Sequence, residues 1–293
     1  MDKSFQGFCQ GGIEEIKWRG WYKNLSRGVM GDDLAMYRKI RAGQLHGGGF
    51  TMTGISSVVP DFRVMSIPFY FENYSEVDRV KERLLPYFAK KFNENGLELI
   101  GMSEVGFFYA MSTFQASTLE DLKKSKSWIP SGDPISATFL QTLGISPIPL
   151  SIPDVLSSLQ TGLIDTAYNS LYGTIVMQWF TKAIYIVDAP YGYAYGAIAL
   201  SQKQFSKLPA KYAELIHEAA GKHFSALLLD TRKSNHESRA VLEEHGVKFV
   251  ATTPETIHEL HKTRDKTIEK LLGNSFSKEV FDEMINVMKE IRQ

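Results

Sequence analysis

The sequence predicts an α/β protein of two domains, on three observations. A chain of 293 residues suggests two domains of ordinary size. Apolar runs of strand length alternate with segments of helical apolar spacing along most of it. The stretch Ser146–Asn169, SPIPLSIPDVLSSLQTGLIDTAYN, reads as a whole strand–helix–strand unit. Within it Ile148–Leu150 is a short apolar run. Ser151 stands three residues before Asp154 with Pro153 between them, the spacing of a capping box with proline in the first turn. Val155, Leu156 and Leu159 follow at helical spacing, and Gly162 is placed to end the helix. Leu163–Ala167 then resumes as an extended run leading to Tyr168 and Asn169. Ligands of open α/β sheets bind beyond the carboxyl ends of strands, so this end is a place to look for a site.

The other elements follow in order. Residues 1–30 lack a clean period, and only Ile13–Trp21 suggests a strand. Leu34, Tyr37 and Ile40 make a short amphipathic helix ending near Gly43, and Gly31-Asp32-Asp33 before it reads as a helix cap rather than a cation site. Leu45–Thr53 is a glycine-rich strand with its exit loop, and Ser66–Phe71 an apolar segment broken by Pro68. In Ser75–Asn93 the residues Val77, Val80, Leu84, Leu85, Phe88 and Phe92 recur at three- and four-residue steps, and Asn95-Gly96 stops the helix. Leu97–Met102 and Val105–Met111 read as two strands, and Thr118–Lys124 as a short helix capped by Thr118 and Asp121. A strand near Ser127–Pro130 and a helix near Pro134–Leu143 lead into the central stretch. Beyond it come a helix at Leu171–Phe180 and strands at Ala183–Val187 and Tyr193–Ser201. No proline interrupts the helix-favouring run from Pro209 to Glu244; Gly221 is the one candidate break. Val247–Val250 is strand-like, and two helices close the chain, Pro254–Leu272 and Ser277–Ile291.

Composition narrows the function. Lys plus Arg and Asp plus Glu number 33 each and no basic cluster stands out, which argues against a nucleic-acid partner. The single cysteine, Cys9, excludes an intrachain disulfide and a cysteine-based zinc site. No apolar run reaches the roughly 18 residues of a membrane span. The first residues lack the apolar core of a signal peptide, so either the protein stays in the cytoplasm or a leader is missing from this sequence.

Catalytic and metal motifs fail on spacing. His46-Gly47-Gly48-Gly49 resembles an esterase oxyanion loop, but no G-x-S-x-G turn accompanies it. His217 and His223 are six apart, not the four that would share a helix face with Glu218 in a zinc site. His258 and His261 share a face without a third ligand. The chain is therefore expected to be no enzyme and to need no metal or cofactor.

Several segments together resemble the solute-binding proteins of tripartite ATP-independent periplasmic (TRAP) transporters, the DctP-type family. They are GVMGDDLAMYRKIRAG (Gly28–Gly43), SIPFYFENYSEV (Ser66–Val77), LEDLKKSK (Leu119–Lys126), LSIPDVLSSLQTGLIDTAYN (Leu150–Asn169) and LSQKQFSKLP (Leu200–Pro209). The resemblance runs from Gly28 to the C-terminus and rests on order and spacing rather than one motif. It implies a two-domain periplasmic-binding-protein-like fold, with a ligand cleft between the domains and a long helix spanning both. The division it implies is 1–104 plus 192–230 and 105–191 plus 231–293. It further implies a periplasmic monomer that captures a small organic solute by hinge closure and delivers it to TRAP permease subunits. A ligand-sensing module that signals to a partner protein is the alternative.

Three departures accompany the resemblance. The family's carboxylate-clamping arginine corresponds to Trp128, and a second arginine of some members corresponds to Phe108. The family also begins with a strand and helix that residues 1–27 do not match, so a shortened N-terminal part is expected. Carried over by motif, the cleft is lined by Phe50, Thr51, Glu104, Phe108, Trp128, Asp133, Asn169 and Trp179. Asn169 matches a ligand-binding asparagine of the family; otherwise it is a turn residue. Trp128 and Trp179 line the cleft or pack, and Phe108 belongs to pocket or core. Glu104 and Asp133 would disfavour an anionic ligand. Tyr168 faces away from Asn169 by alternation, and some of Tyr185, Tyr191, Tyr193 and Tyr195 add aromatic walls. Arg63 and Lys126 are alternative cations for a carboxylate. With the clamp positions aromatic, the expected solute is neutral, polar-aromatic or largely apolar.

Overall fold

The computed structural model describes residues 31–292, so the strand expected at Ile13–Trp21 lies outside the described residues. The chain divides into two compact units. Met1–Val59, Leu85–Glu104 and Tyr195–Arg232 form the first; Pro60–Leu84, Val105–Ala194 and Lys233–Gln293 form the second. The division passes through the interior of the helices Tyr74–Glu94 and Ala210–Glu244, and of the strands Leu97–Ser112 and Tyr185–Ser201. Residues 60–84 go with the second unit, whereas the expected division kept 1–104 whole. Their ties explain this. Asp61 accepts hydrogen bonds from the Ser277 backbone N–H (2.6 Å) and Oγ (3.0 Å), and Glu76 accepts from Arg292 Nε at 2.8 Å. Both partners flank the C-terminal helix Lys278–Ile291.

In the first unit, Asp32 caps the helix Asp33–Arg41 through the Ala35 N–H at 2.8 Å, as the cap reading expects. Strand β1 (Gly47–Thr51) pairs antiparallel with the far end of β6 (Tyr185–Ser201), from Gly47 opposite Leu200 to Thr51 opposite Gly196. Strand β2 (Leu97–Ser112) lies on the other side of β6. Phe50, Phe88, Phe92, Leu97, Ala197 and Ala199 are buried in this unit.

In the second unit, β2 pairs antiparallel with β5 (Thr166–Asn169), with Tyr109 opposite Asn169 and Met111 opposite Ala167. β7 (Lys248–Val250) runs parallel to β6. β3 (Trp128–Pro130) and β4 (Ile148–Leu150) form a separate parallel pair. The central stretch is thus strand, helix (Val155–Thr161), strand, but its two strands belong to different sheets. Its helix begins otherwise than the capping box implies: Ser151 makes no cap bond to the backbone, and a 3-10 turn, Ile152–Asp154, precedes the α-helix. Gly162 closes it in the left-handed region, φ 74°, as expected. Strand β5 starts only at Thr166 and runs on through Asn169.

Two pairs of expected strands fuse. The break at Ser103-Glu104 does not occur, because the Glu104 carboxylate is met by Arg232 and the chain continues extended through β2. Pro190 and Gly192 likewise fail to interrupt β6. The expected helix Leu171–Phe180 is split instead. Leu171–Val176 is helical, Gln178 takes φ 57°, and Trp179–Thr181 is a 3-10 turn. The long helix is continuous over Ala210–Glu244, about 52 Å by its rise. Gly221 faces open space and breaks nothing.

Candidate functional site

The residues expected to line one cleft fall into separate surroundings. Three lie in the first unit. Phe50 is a buried β1 residue. Thr51 is exposed and capped into structure: its backbone N–H donates to Asp33 Oδ2 at 3.0 Å, and its Oγ1 accepts from the Gly54 N–H at 3.0 Å. Glu104 is buried and accepts from Arg232 Nε at 2.9 Å and Nη2 at 2.8 Å, a bidentate pair in which the guanidinium matches the carboxylate plane. Its charge is therefore compensated within the chain.

The other five lie in the second unit, on both faces of the β2–β5 ribbon. Tyr109 stands opposite Asn169, so these two share a face, while Phe108 and Tyr168, one step away on each strand, point to the other.

The first face holds the two tryptophans. Trp128 is 3% and Trp179 2% exposed, with ring centroids 5.4 Å apart at 79°, the edge-to-face geometry that aromatic quadrupoles favour. The Trp128 Nε1–H donates to the Leu150 carbonyl at 3.0 Å. Met111, Val155, Leu159, Ile164 and Ala167 pack in the same core. Of the two alternatives for Trp128 and Trp179, lining a cleft or packing, the described structure has both packed. Both are interior residues, and the one polar atom of Trp128 is already spent. Asn169, half-buried beside this core, accepts the Ser170 N–H on its Oδ1 at 2.8 Å.

The second face is built around Tyr191. Its ring meets those of Phe69 (5.4 Å), Phe108 (5.3 Å), Phe139 (5.4 Å) and Tyr168 (4.7 Å). Phe108 keeps its place because Gly192 has no side chain: a Cβ there would meet the Phe108 ring at 2.9 Å. Phe69 holds φ 54°, a conformation unfavourable for a bulky residue. Two hydrogen bonds fix it, its N–H donating to the Tyr191 carbonyl at 2.8 Å and its carbonyl accepting from Arg264 Nη1 at 2.8 Å. A cavity of about 30 Å³ opens among Phe69, Phe139, Tyr168, Tyr191, Leu143, Ile145 and Leu260.

Polar groups on this face are few and closely held. Tyr168 Oη bonds Ser127 Oγ at 3.1 Å, and Ser127 bonds Ser125 Oγ at 2.8 Å. Burial, opposed by the Ser127 bond, pushes the Tyr168 hydroxyl up to about 12. Asp133 caps the helix Pro134–Thr142, accepting from the N–H groups of Ile135 (3.0 Å) and Ser136 (3.3 Å). Desolvation holds its carboxyl above the usual value, opposed by these bonds and by the buried Arg63. Among the described residues, one buried side-chain polar atom has no hydrogen-bond partner, Tyr191 Oη. Burial raises it far above the usual tyrosine value, with Tyr168 and Asp133 adding to the effect. Ser136 eases the shift without reaching the geometry of a bond. Lys126, the other alternative cation, is exposed and donates to the Gly162 carbonyl at 3.2 Å.

Sequence reasoning named Tyr191 only as one tyrosine among four, and missed Phe69. The signal for Phe69 was there, since Pro68 breaks an apolar run, but its left-handed backbone depends on Arg264, 195 residues away. The described residues contain no cluster of histidine, cysteine or carboxylate groups arranged for a metal. None of their helices is long and apolar enough to cross a membrane.

Comparison with known proteins adds the following. The family model DctP, described as bacterial extracellular solute-binding protein, family 7, matches residues 22–274. A solute-binding protein of Chromohalobacter salexigens is 25% identical over 170 residues, 57% of this chain and 50% of that protein. The ectoine-binding periplasmic protein TeaA of Halomonas elongata is 24% identical over 178 residues, 59% of this chain and 50% of TeaA. The chain thus spans about half the length of these two relatives. Among solved structures, a TRAP periplasmic solute-binding protein of Xanthobacter autotrophicus Py2 with bound β-D-galacturonate superposes with a TM-score of 0.89. It is 17% identical and matches 98% of this chain and 94% of its own. The sugar acid binding protein DctPAm of Advenella mimigardefordensis in complex with galactonate gives 0.89 at 20% identity, over 98% and 93%. At such identities these structures bear on the fold alone.

Proposed function

The chain belongs to family 7 of the bacterial extracellular solute-binding proteins, the DctP family, and from that premise we propose that it captures a small organic solute outside the cytoplasm and hands it to a TRAP-type membrane permease. The observation that carries the reading is the family match over residues 22–274. Capture by hinge closure belongs to the same reading and requires the solute to bind the closed form more tightly than the open one.

The solute class is a narrower proposal. Relatives of known ligand include an ectoine-binding protein and proteins holding galacturonate or galactonate. In this chain, however, the resemblance implies that Phe108 and Trp128 stand where other members carry the clamp arginines. Trp128 fills the core, so it removes the clamp without supplying a substitute. The solute is then a neutral molecule with an apolar or aromatic body rather than a simple carboxylate.

A thermal-shift screen tests both levels. Galacturonate, galactonate, pyroglutamate and ectoine are set against neutral cyclic alcohols, amides and aromatic solutes of similar size. Stabilisation by a neutral solute supports the class; micromolar binding of galacturonate or galactonate overturns it while leaving solute capture intact. No stabilisation by any solute, together with turnover of ester substrates, overturns the binding-protein reading itself.

A further inference from the structure

Three observations coincide on the Tyr191 face of the second unit. The Tyr191 hydroxyl is buried without a partner among the described residues. A cavity of about 30 Å³, room for a water or a methyl group, adjoins the Tyr191 ring. Phe69, on the rim of the same cavity, is held in a left-handed conformation by bonds to Tyr191 and Arg264. Each is unfavourable taken alone. A buried donor without an acceptor, a void in a close-packed core and a strained phenylalanine each cost stability. Packing gives no reason for the hydroxyl, since phenylalanine would fill the same four-ring box of Phe69, Phe108, Phe139 and Tyr168.

We infer that Tyr191 is a specificity-determining donor: the solute presents a neutral acceptor oxygen to Tyr191 Oη and seats a small apolar branch in the adjoining cavity. This rests on the solute-binding reading above and deepens it. The chemistry follows from the surroundings. The cavity is lined almost wholly by apolar side chains, among them Leu143, Ile145 and Leu260, so the branch carries no charge. Asp133 is the carboxylate whose charge acts on the Tyr191 hydroxyl, so an anionic group brought there would face its negative charge in a poorly solvated place. Tyr191 keeps its proton across the physiological range and can only donate to such an oxygen while it does. The hydroxyl is sealed from solvent, and the half-buried ring of Phe69 is the wall that yields to admit the solute.

Two probes of equal shape test this: isobutyramide, a neutral carbonyl on an isopropyl body, and isobutyrate, the same body as an anion. Binding to the full chain is followed by ligand-observed NMR titration, alongside urea unfolding. Isobutyramide is expected to bind the wild-type chain and isobutyrate not. Tyr191→Phe should weaken isobutyramide about tenfold, the equivalent of one hydrogen bond, while leaving the protein as stable or more so. Leu143→Phe, which fills the cavity, should weaken it as well. Equal isobutyramide affinity in wild type and Tyr191→Phe overturns the inference, as does tighter binding of isobutyrate. Absence of isobutyramide binding overturns it too. If galacturonate or another solute still stabilises the chain in that case, only the inference falls. If no solute does, the binding-protein reading falls with it.

Discussion

The two faces of the β2–β5 ribbon use aromatic side chains to opposite ends. On one, Trp128 and Trp179 lie edge to face, and the Trp128 N–H is paired with the Leu150 carbonyl. On the other, four rings line a cavity, beside a hydroxyl without a partner, and one of them is a phenylalanine at φ 54°. The first face shows what a finished core looks like in this chain: dense, with its polar atom satisfied. The second is equally aromatic and equally buried at its centre, yet carries an unpaired hydroxyl and unfilled space beside a backbone held in the left-handed region. Composition cannot distinguish the two faces; satisfaction of polar atoms and filling of space can.

The largest way to break this comparison is at the tryptophans. Trp128→Ala should cost about 3–5 kcal/mol in urea unfolding, the range for emptying a large aromatic site. Trp128→Arg, which places there the arginine that the resemblance implies for other members, should unfold the second unit rather than create a carboxylate site. A charge placed there would be buried against Met111, Val155 and Leu159. A soluble Trp128→Arg protein of wild-type stability that binds galacturonate would show Trp128 to be a cleft residue after all.

Gly192→Ala comes next. Its methyl would collide with the Phe108 ring, so a loss of about 1–3 kcal/mol is expected, with weaker solute binding because the whole box shifts. A neutral substitution would mean that the box is loosely packed. Tyr191→Phe should shift stability upward by about 1 kcal/mol or less, since it removes an unpaired buried hydroxyl. A clear loss would show that the hydroxyl has a structural partner.

The smallest effects are in pH, and they carry opposite signs at Asp133 and at Asp188 of β6. Desolvation keeps the Asp133 carboxyl above 3.8, so the folded chain holds that proton where the unfolded chain releases it. Its favourable contribution is complete below pH 3.8 and fades as pH rises through the window above. Asp133→Asn keeps a capping side chain and should remove this slope. Asp188 behaves in reverse. Its hydrogen bonds from Arg239, at 2.8 Å each, hold it below 3.8, so its contribution is present above that value and lost as pH falls below it. Asp188→Asn should therefore destabilise modestly at neutral pH and leave strongly acidic stability unchanged, the pair being surface-exposed. Urea midpoints from pH 3 to 7 check both.

What could be read from the sequence was local. The caps at Asp32 and Thr118, the stop at Gly162 and the unbroken run to Glu244 depend on neighbours within a few residues, and the structure has them. What escaped depends on distant partners. Glu104 looks like a strand break until Arg232, 128 residues on, neutralises it. Ser151 looks like a cap, but its hydroxyl turns to the Asp154 side chain instead of the backbone. Alignment by motif marks where a family keeps its ligand contacts, but a substituted side chain need not point the same way. Trp128 lies inside because Trp179 and the Leu150 carbonyl give its indole both a packing partner and an acceptor there. Tyr168 was correctly set on the opposite face from Asn169, since strand alternation is local.

The tryptophan pair also makes this protein its own optical probe. Among the described residues the only indoles are Trp128 and Trp179, both in the second unit and both sealed from water. Replacing Trp18 and Trp21, the remaining two, by phenylalanine would leave an emission spectrum that reports on one unit alone. A red shift would then time the melting of that unit, whatever happens elsewhere in the chain. A solute that quenched or shifted the emission without unfolding would have to act on the second unit, giving a label-free readout of which half of the molecule has responded.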